Sequence, residues 1–386
     1  MTVTTPRGFR AAGVAAGLKS TGALDLALVV NDGPAHAAAG VFTRNKVKAA
    51  PVLWSQQVLT TGRLRAVVLN SGGANACTGP EGFQTAHATA EKAADVLGCA
   101  PLEVAVCSTG LIGKQLPREA VLGGVEAAAT ALGDDAASAL AAATAIMTTD
   151  TVAKQAAHTD DTGWSIGGTT KGAGMIAPSV ATMLTVLTTD AVVDARVLDD
   201  ALRAAVRVSF DRLDVDGCMS TNDTVLVLAS GASGVAADPV VFTTALTTVC
   251  RDLAQQMQAD AEGVTKRITV RVTGAATEDD AVTVARTIAR DSLVKTAIFG
   301  SDANWGRIAA AAGYADAAVD PDRLDITVNG VLLCRGGVAA GGRTDADLSG
   351  KEVLVEVALG LGGGTADILT TDLSYGYVEE NSAYPT

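Results

Sequence analysis

Two strand-length apolar runs, 65–70 (RAVVLN) and 103–107 (EVAVC), each end directly in a loop of small residues. The first enters Ser71-Gly72-Gly73-Ala74-Asn75-Ala76-Cys77-Thr78-Gly79, the second Ser108-Thr109-Gly110-Leu111-Ile112-Gly113. Such a step leaves backbone N–H groups without strand partners, so it is a natural place for hydrogen-bond donors. A third junction reverses the order. From Lys171 the chain reads as loop, with Gly172, Gly174 and Pro178, and from Thr182 to Asp190 as strand. Thr182 stands at the joint, where a loop can present a hydroxyl and a strand can hold it still. The plain alternative is an ordinary loop-to-strand junction with a surface threonine.

Strands and helices are expected in both halves, giving a mixed α+β class. Strands at 25–31 and 38–43 surround a turn at Asn31-Asp32-Gly33-Pro34. Helices are expected at 83–98, 117–132 and 135–147, then at 196–208, 238–259 and 279–290. Further strands are expected at 224–229, 267–273, 324–329, 352–358 and 366–371, with Gly360 to Gly364 as a hairpin turn between the last two. Two tempting motifs fail. Gly110 to Gln115 has neither the spacing nor the hydroxyl of a phosphate-binding P-loop. The Asp214-Val-Asp216-Gly run lacks an acidic residue at position twelve of a calcium loop, which is Val225.

The net charge of −13 argues against nucleic acid or an anionic membrane as the main partner, while leaving room for a local basic pocket. No apolar run is long enough to span a bilayer, and the first residues lack a signal core. The six cysteines form no C-x-x-C pair and read as buried free thiols of a reducing cytoplasm. Three dispersed histidines, at 36, 87 and 158, make a histidine metal site or a histidine-based triad improbable. An enzyme of this composition takes its base from elsewhere, and no metal or cofactor is expected.

Several stretches, in matching order from about residue 8 to the end, resemble the ornithine acetyltransferase (glutamate N-acetyltransferase) family of arginine biosynthesis. They are Phe42 to Val52, Asn70 to Gly79, Cys107 to Gly113, Lys171 to Leu184, Ser220 to Thr224, Lys295 to Arg307 and Asn381 to Thr386. Gly73, where the family often has asparagine, and Cys218-Met219, where small polar residues are commoner, depart from it.

The resemblance implies a two-lobed fold of layered sheets and helices related to the N-terminal-nucleophile hydrolases. It implies self-cleavage between Ala181 and Thr182 into an α segment, 1–181, and a β segment, 182–386, forming one intertwined unit. Thr182 is then the nucleophile, its new α-amine the base, and Thr109 with Gly110 the oxyanion hole. Thr148, Lys171, Thr182, Glu262, Asn381 and Thr386 fall at substrate-contact positions. The implied reaction moves an acetyl group from N-acetylornithine to glutamate through an acetyl-threonine, in an assembly of two α and two β segments. Whether acetyl-CoA also serves as donor stays open. Two rivals remain at this stage: a hydrolase of the same fold that gives the acyl group to water, and a non-enzymatic scaffold.

Overall fold

The apolar runs assemble into three sheets in a computed structural model, which describes residues 2–177 and 183–383. The described residues divide into two units, one comprising 2–177, 183–211 and 218–257, the other 212–217 and 258–383. In the first unit the strands are β1 (Phe9–Val14), β2 (Leu26–Asn31), β3 (Ala37–Phe42), β4 (Ala66–Asn70) and β5 (Val104–Ser108). They continue with β6 (Lys154–Thr159), β7 (Ser165–Lys171), β8 (Leu184–Thr189) and β9 (Thr224–Ala229). The helices are α1 (Ala50–Val58), α2 (Gly79–Leu97), α3 (Arg118–Thr130), α4 (Ala136–Ala145), α5 (Ala195–Arg207) and most of α6 (Pro239–Ala259).

One sheet has the order β1-β2-β4-β5 and the other β3-β9-β8-β7-β6. Every residue of β2, β4, β5, β8 and β9 is buried, which explains their continuous apolar runs rather than alternation. Helices α3 and α4 pack on β1 and β2, and α5 on β3. With 3% aromatic residues, these layers are filled by Ala, Val, Leu and Ile. Strands from either side of position 182 lie in one sheet, because β7 pairs antiparallel with β8 and matches Lys171 to Leu184.

The second unit holds β10 (Arg267–Ala275), α7 (Glu278–Arg290), α8 (Ser292–Phe299), α9 (Trp305–Gly313), β11 (Asp325–Val328) and β12 (Val331–Arg335). It ends with β13 (Val338–Ala339), β14 (Glu352–Ala358), β15 (Gly364–Thr371) and α10 (Tyr375–Ala383). The sheet order is β13-β12-β11-β14-β10-β15. Alternate burial along β10 and β14 leaves one face covered by a core of Val, Ile and Ala.

Several expectations are corrected. Strands β2 and β3 flank the expected turn, where Gly33 N–H donates to Asn31 Oδ1 at 3.0 Å, but they enter different sheets. The Gly360–Gly364 segment is not a hairpin: β10 lies between β14 and β15, and Leu361 and Gly362 donate to the Gly274 carbonyl. Lys171 is the last residue of β7 rather than the start of a loop. Cys77 and Cys218 are exposed, although Cys107, Cys250 and Cys334 are buried and all six thiols are free. Strands β1, β6, β7, β12 and β13 and helices α1, α8, α9 and α10 were not anticipated, since segments this short carry little periodicity. The Asp214 carboxylate accepts from Arg290 Nε at 2.7 Å and Gly217 N at 3.1 Å, so that loop is tied by protein groups.

Helix α1 closes the open edge of β5. Ser55 Oγ donates to Val106 O at 2.7 Å and accepts from Val106 N at 2.9 Å, doing with one hydroxyl what a neighbouring strand would do. Trp54 Nε1 donates to Val104 O at 3.0 Å. Ser55→Ala strands a buried N–H and C=O together, so we expect a loss of about 1–3 kcal/mol. Urea unfolding checks this, and an unchanged midpoint would show that the edge is paired in some other way.

Candidate active site

Strands β4 and β5 run parallel with Asn70 opposite Ser108, so their two small-residue loops emerge side by side. Backbone bonds knit the loops: Thr109 N to Asn70 O at 2.9 Å, Gly73 N to Thr109 O at 3.0 Å, and Ala74 N to Leu111 O at 2.9 Å. The Asn70 side chain adds two more, accepting from Ser108 Oγ at 2.6 Å and donating to Gly73 O at 3.2 Å. Gly110 has φ +124°, and a Cβ there would stand 2.6 Å from Gly73 N. Only glycine fits a loop pressed this closely against its neighbour. The expected oxyanion pair, Thr109 and Gly110, is therefore held rigidly.

The end of β7 brings further expected residues to Thr109. Lys171 is 2% exposed, and its Nζ donates to Thr148 Oγ1 at 2.7 Å and Thr109 Oγ1 at 3.5 Å. It also lies 3.6 Å from Asp150 Oδ2. Asp150 organises this group. It accepts from Lys154 Nζ at 2.7 Å, Gly172 N at 2.7 Å and Thr148 N at 3.0 Å. Burial opposes ionisation of Asp150, but Lys171, Lys154 and these hydrogen bonds outweigh it and hold the carboxyl far below the usual carboxylate range. Lys19 stands nearby, donating to Met147 O at 2.8 Å, with its pKa lowered by burial and by Lys171 against the pull of Asp25 and Asp150. An acidic chain thus gathers Lys19, Lys154 and Lys171 around Asp150 beside Thr109.

A second tie comes from the segment before β9. Asn222 Nδ2 donates to Ala74 O at 2.6 Å and Ser108 O at 2.8 Å, clamping both small-residue loops. The next residue, Asp223, accepts from Met183 N at 3.1 Å through Oδ1. Strand β8 starts at Leu184, paired with Lys171 on one side and Thr224 on the other. Thr182 precedes it by two positions in the sequence. Thr182 itself, Ala181 and Thr386 lie outside the described residues.

Of the remaining expected residues, Glu262 and Asn381 belong to the second unit and meet there, Asn381 Nδ2 donating to Glu262 Oε2 at 2.9 Å. Gly263 makes this approach feasible: its φ is +62°, and a Cβ would come within 2.0 Å of Tyr377 N on α10. Sequence reasoning gave Asn70, Asp150, Asn222 and Asp223 no role, although Asn70, Asn222 and Asp223 stand inside stretches that carry the family resemblance. Among the described residues, no cluster of three or more His, Cys, Asp or Glu is arranged to hold a metal ion.

The chain is similar to known proteins over most of its length. A family profile described as the ArgJ family matches residues 10–386. The "Arginine biosynthesis bifunctional protein ArgJ" of Mycolicibacterium paratuberculosis is 62% identical, covering 99% of this chain and 96% of that protein. The protein of the same name from Streptomyces coelicolor is 59% identical over 100% of both chains. A crystal structure of ornithine acetyltransferase from Mycobacterium tuberculosis, complexed with ornithine, shares 60% identity, covers 47% of this chain and 96% of that chain, and superposes with a TM-score of 0.46.

Two outcomes are expected. Asp150→Asn leaves two buried lysines short of their shared counter-ion and costs about 3–5 kcal/mol. The wild-type contribution is full above the ordinary carboxylate range and disappears only as pH falls through the depressed value, so the stability gap between the two chains should narrow in acid. Thermal melts from neutral to acid pH measure this. Gly110→Ala keeps its N–H but must push the loop away from Gly73, so acyl-transfer turnover should fall by about 100-fold or more, as when an oxyanion donor is misplaced; steady-state kinetics on folded protein decide it.

Proposed function

The chain belongs to the ArgJ family, and on that premise we propose that it is a self-cleaving glutamate N-acetyltransferase moving acetyl groups from N-acetylornithine to glutamate in arginine biosynthesis. The observation that carries this reading is the meeting of Thr148 and Thr109 at Lys171, which pairs with Asp150 and stands in register with the strand that follows Thr182. It supports a site in which a carboxylate-bearing substrate lies between a buried ammonium and an oxyanion hole.

The chemistry follows from the residue types. Cleavage between Ala181 and Thr182 frees an α-amine whose pKa, about 7.7–8.0 unperturbed, suits a base at working pH. That amine takes the proton from Thr182 Oγ, which attacks the acetyl carbonyl of N-acetylornithine. The tetrahedral oxyanion is stabilised at Thr109 and Gly110, and ornithine leaves with the proton. Glutamate then attacks the acetyl-threonine ester by the same path in reverse. Lys171 and Thr148 receive the substrate α-carboxylate. Family resemblance also counts Glu262, Asn381 and Thr386 among substrate-contact positions.

No cofactor takes part, because only acyl bonds are exchanged. The relatives' printed name, bifunctional, supports a second reaction on the same acceptor with acetyl-CoA as donor. The mature enzyme comprises two α and two β segments, and its free cysteines suit the cytoplasm.

Incubation with N-acetylornithine, with and without glutamate, tests the transferase. Ornithine release should depend on glutamate; release at the same rate without it would make the enzyme a hydrolase. Thr182→Ala should run as a single uncut chain of 38.7 kDa without activity, and normal fragments from that variant would refute the nucleophile assignment.

A further inference from the structure

The loops after β4 and β5 decide where one backbone donor points. Thr109 N already donates to Asn70 O at 2.9 Å. Among the described residues the Gly110 N–H has no acceptor, so it is the backbone donor left to meet an oxyanion. The described peptide bonds are all trans, and a trans peptide holds its N–H opposite its own C=O. The C=O of the peptide that carries the Gly110 N–H is that of Thr109, and Gly73 N holds it at 3.0 Å. The direction of the Gly110 N–H is therefore set by where Gly73 stands relative to Thr109.

One side chain spans both loops beside this pair. Asn222 Nδ2 gives one proton to Ala74 O at 2.6 Å, the residue after Gly73, and the other to Ser108 O at 2.8 Å, the residue before Thr109. The amide is itself held. Its Oδ1 accepts from Thr221 Oγ1 at 2.6 Å, its backbone N donates to Ser220 Oγ at 3.1 Å, and the residue is 4% exposed. Two carbonyls on the nitrogen and a hydroxyl on the oxygen fix which way the amide faces. The backbone around it is anchored on the far side, where Ala49 N donates to Thr221 O at 3.0 Å and Thr43 N to Asp223 O at 2.9 Å.

We propose that Asn222 is a positioning residue for acyl transfer: by fixing the spacing of the two loops, it aims the Gly110 N–H at the oxyanion. This rests on the reading that Thr109 and Gly110 form the oxyanion hole. Asn222 acts through the loops and not on the substrate. An oxyanion donor works by being aligned before the transition state forms, and it contributes little to ground-state binding. Loss of the clamp should therefore appear in kcat and leave KM nearly unchanged. Support of the fold alone would lower stability and leave the turnover of folded enzyme as it was.

Asn222→Ala, Gly110→Ala and the double variant test this, assayed as folded, cut enzyme with N-acetylornithine and glutamate. Asn222→Ala should lower kcat by about 10- to 100-fold, with both KM values within about threefold of wild type. The double variant should turn over about as slowly as Gly110→Ala alone, because the amide works through that loop. Asn222→Ser keeps one hydroxyl donor; it should lose less turnover, and it takes the place of the alanine variant if that chain does not fold. Wild-type kcat in the folded Asn222 variant would overturn the proposal. So would a loss confined to KM, or losses that multiply in full in the double variant. Wild-type turnover by both Gly110→Ala and Thr109→Ala would instead remove the oxyanion reading beneath it.

Discussion

The site depends on one buried carboxylate. Asp150 bonds Lys154, stands beside Lys171, and accepts the N–H groups of Thr148 and Gly172. Three charges buried together carry a desolvation penalty of several kcal/mol per ion, so such a group persists only when nearly every lone pair and proton is matched. Here that matching locks the end of β7, the Thr148 turn and the exit of the strand at Gly172 to one another. It also holds Lys171 Nζ within 3.5 Å of Thr109 Oγ1.

The same logic extends through the asparagines. Asn70 joins the ends of β4 and β5, and Asn222 spans from the start of β9 to the Ala74 and Ser108 carbonyls. Amides suit this work, because each carries a donor and an acceptor and no charge to desolvate. Asp223 follows Asn222 directly, so one short segment fixes both the oxyanion loop and the backbone at Met183. Thr109, Lys171 and Met183 thus stand at strand ends in two sheets, held in register by the side chains of Asn70, Asp150, Asn222 and Asp223. The rigidity that preorganised electrostatics requires is supplied by these amides and by the Gly110–Gly73 approach.

Much of the element order was readable because buried strands and capped helices announce themselves locally. The run at 224–229 matches β9 residue for residue, and 352–358 matches β14. Errors fall where identity depends on distant partners. Segment 165–171 (SIGGTTK) has no apolar alternation, yet it is a strand because β6 and β8 pair on either side of it. Gly360 to Gly364 looks like a hairpin until β10 inserts between the flanking strands.

The sequence by itself determined the chemistry available: a scarcity of histidine, a threonine at a loop-to-strand joint, and hydroxyl- and glycine-rich loops after apolar strands. These are properties of residue type and near-neighbour spacing, which persist in any conformation of the chain. Only the tertiary structure decided that Lys171 meets both Thr148 and Thr109, and that Asn222 and Asp223 bind both loops and Met183. Those contacts join residues between 23 and 148 positions apart. They arise from sheet register and parallel strand order, which no local pattern encodes. The Thr182 at the joint is visible in the sequence, while the groups gathered around its strand are the product of the fold.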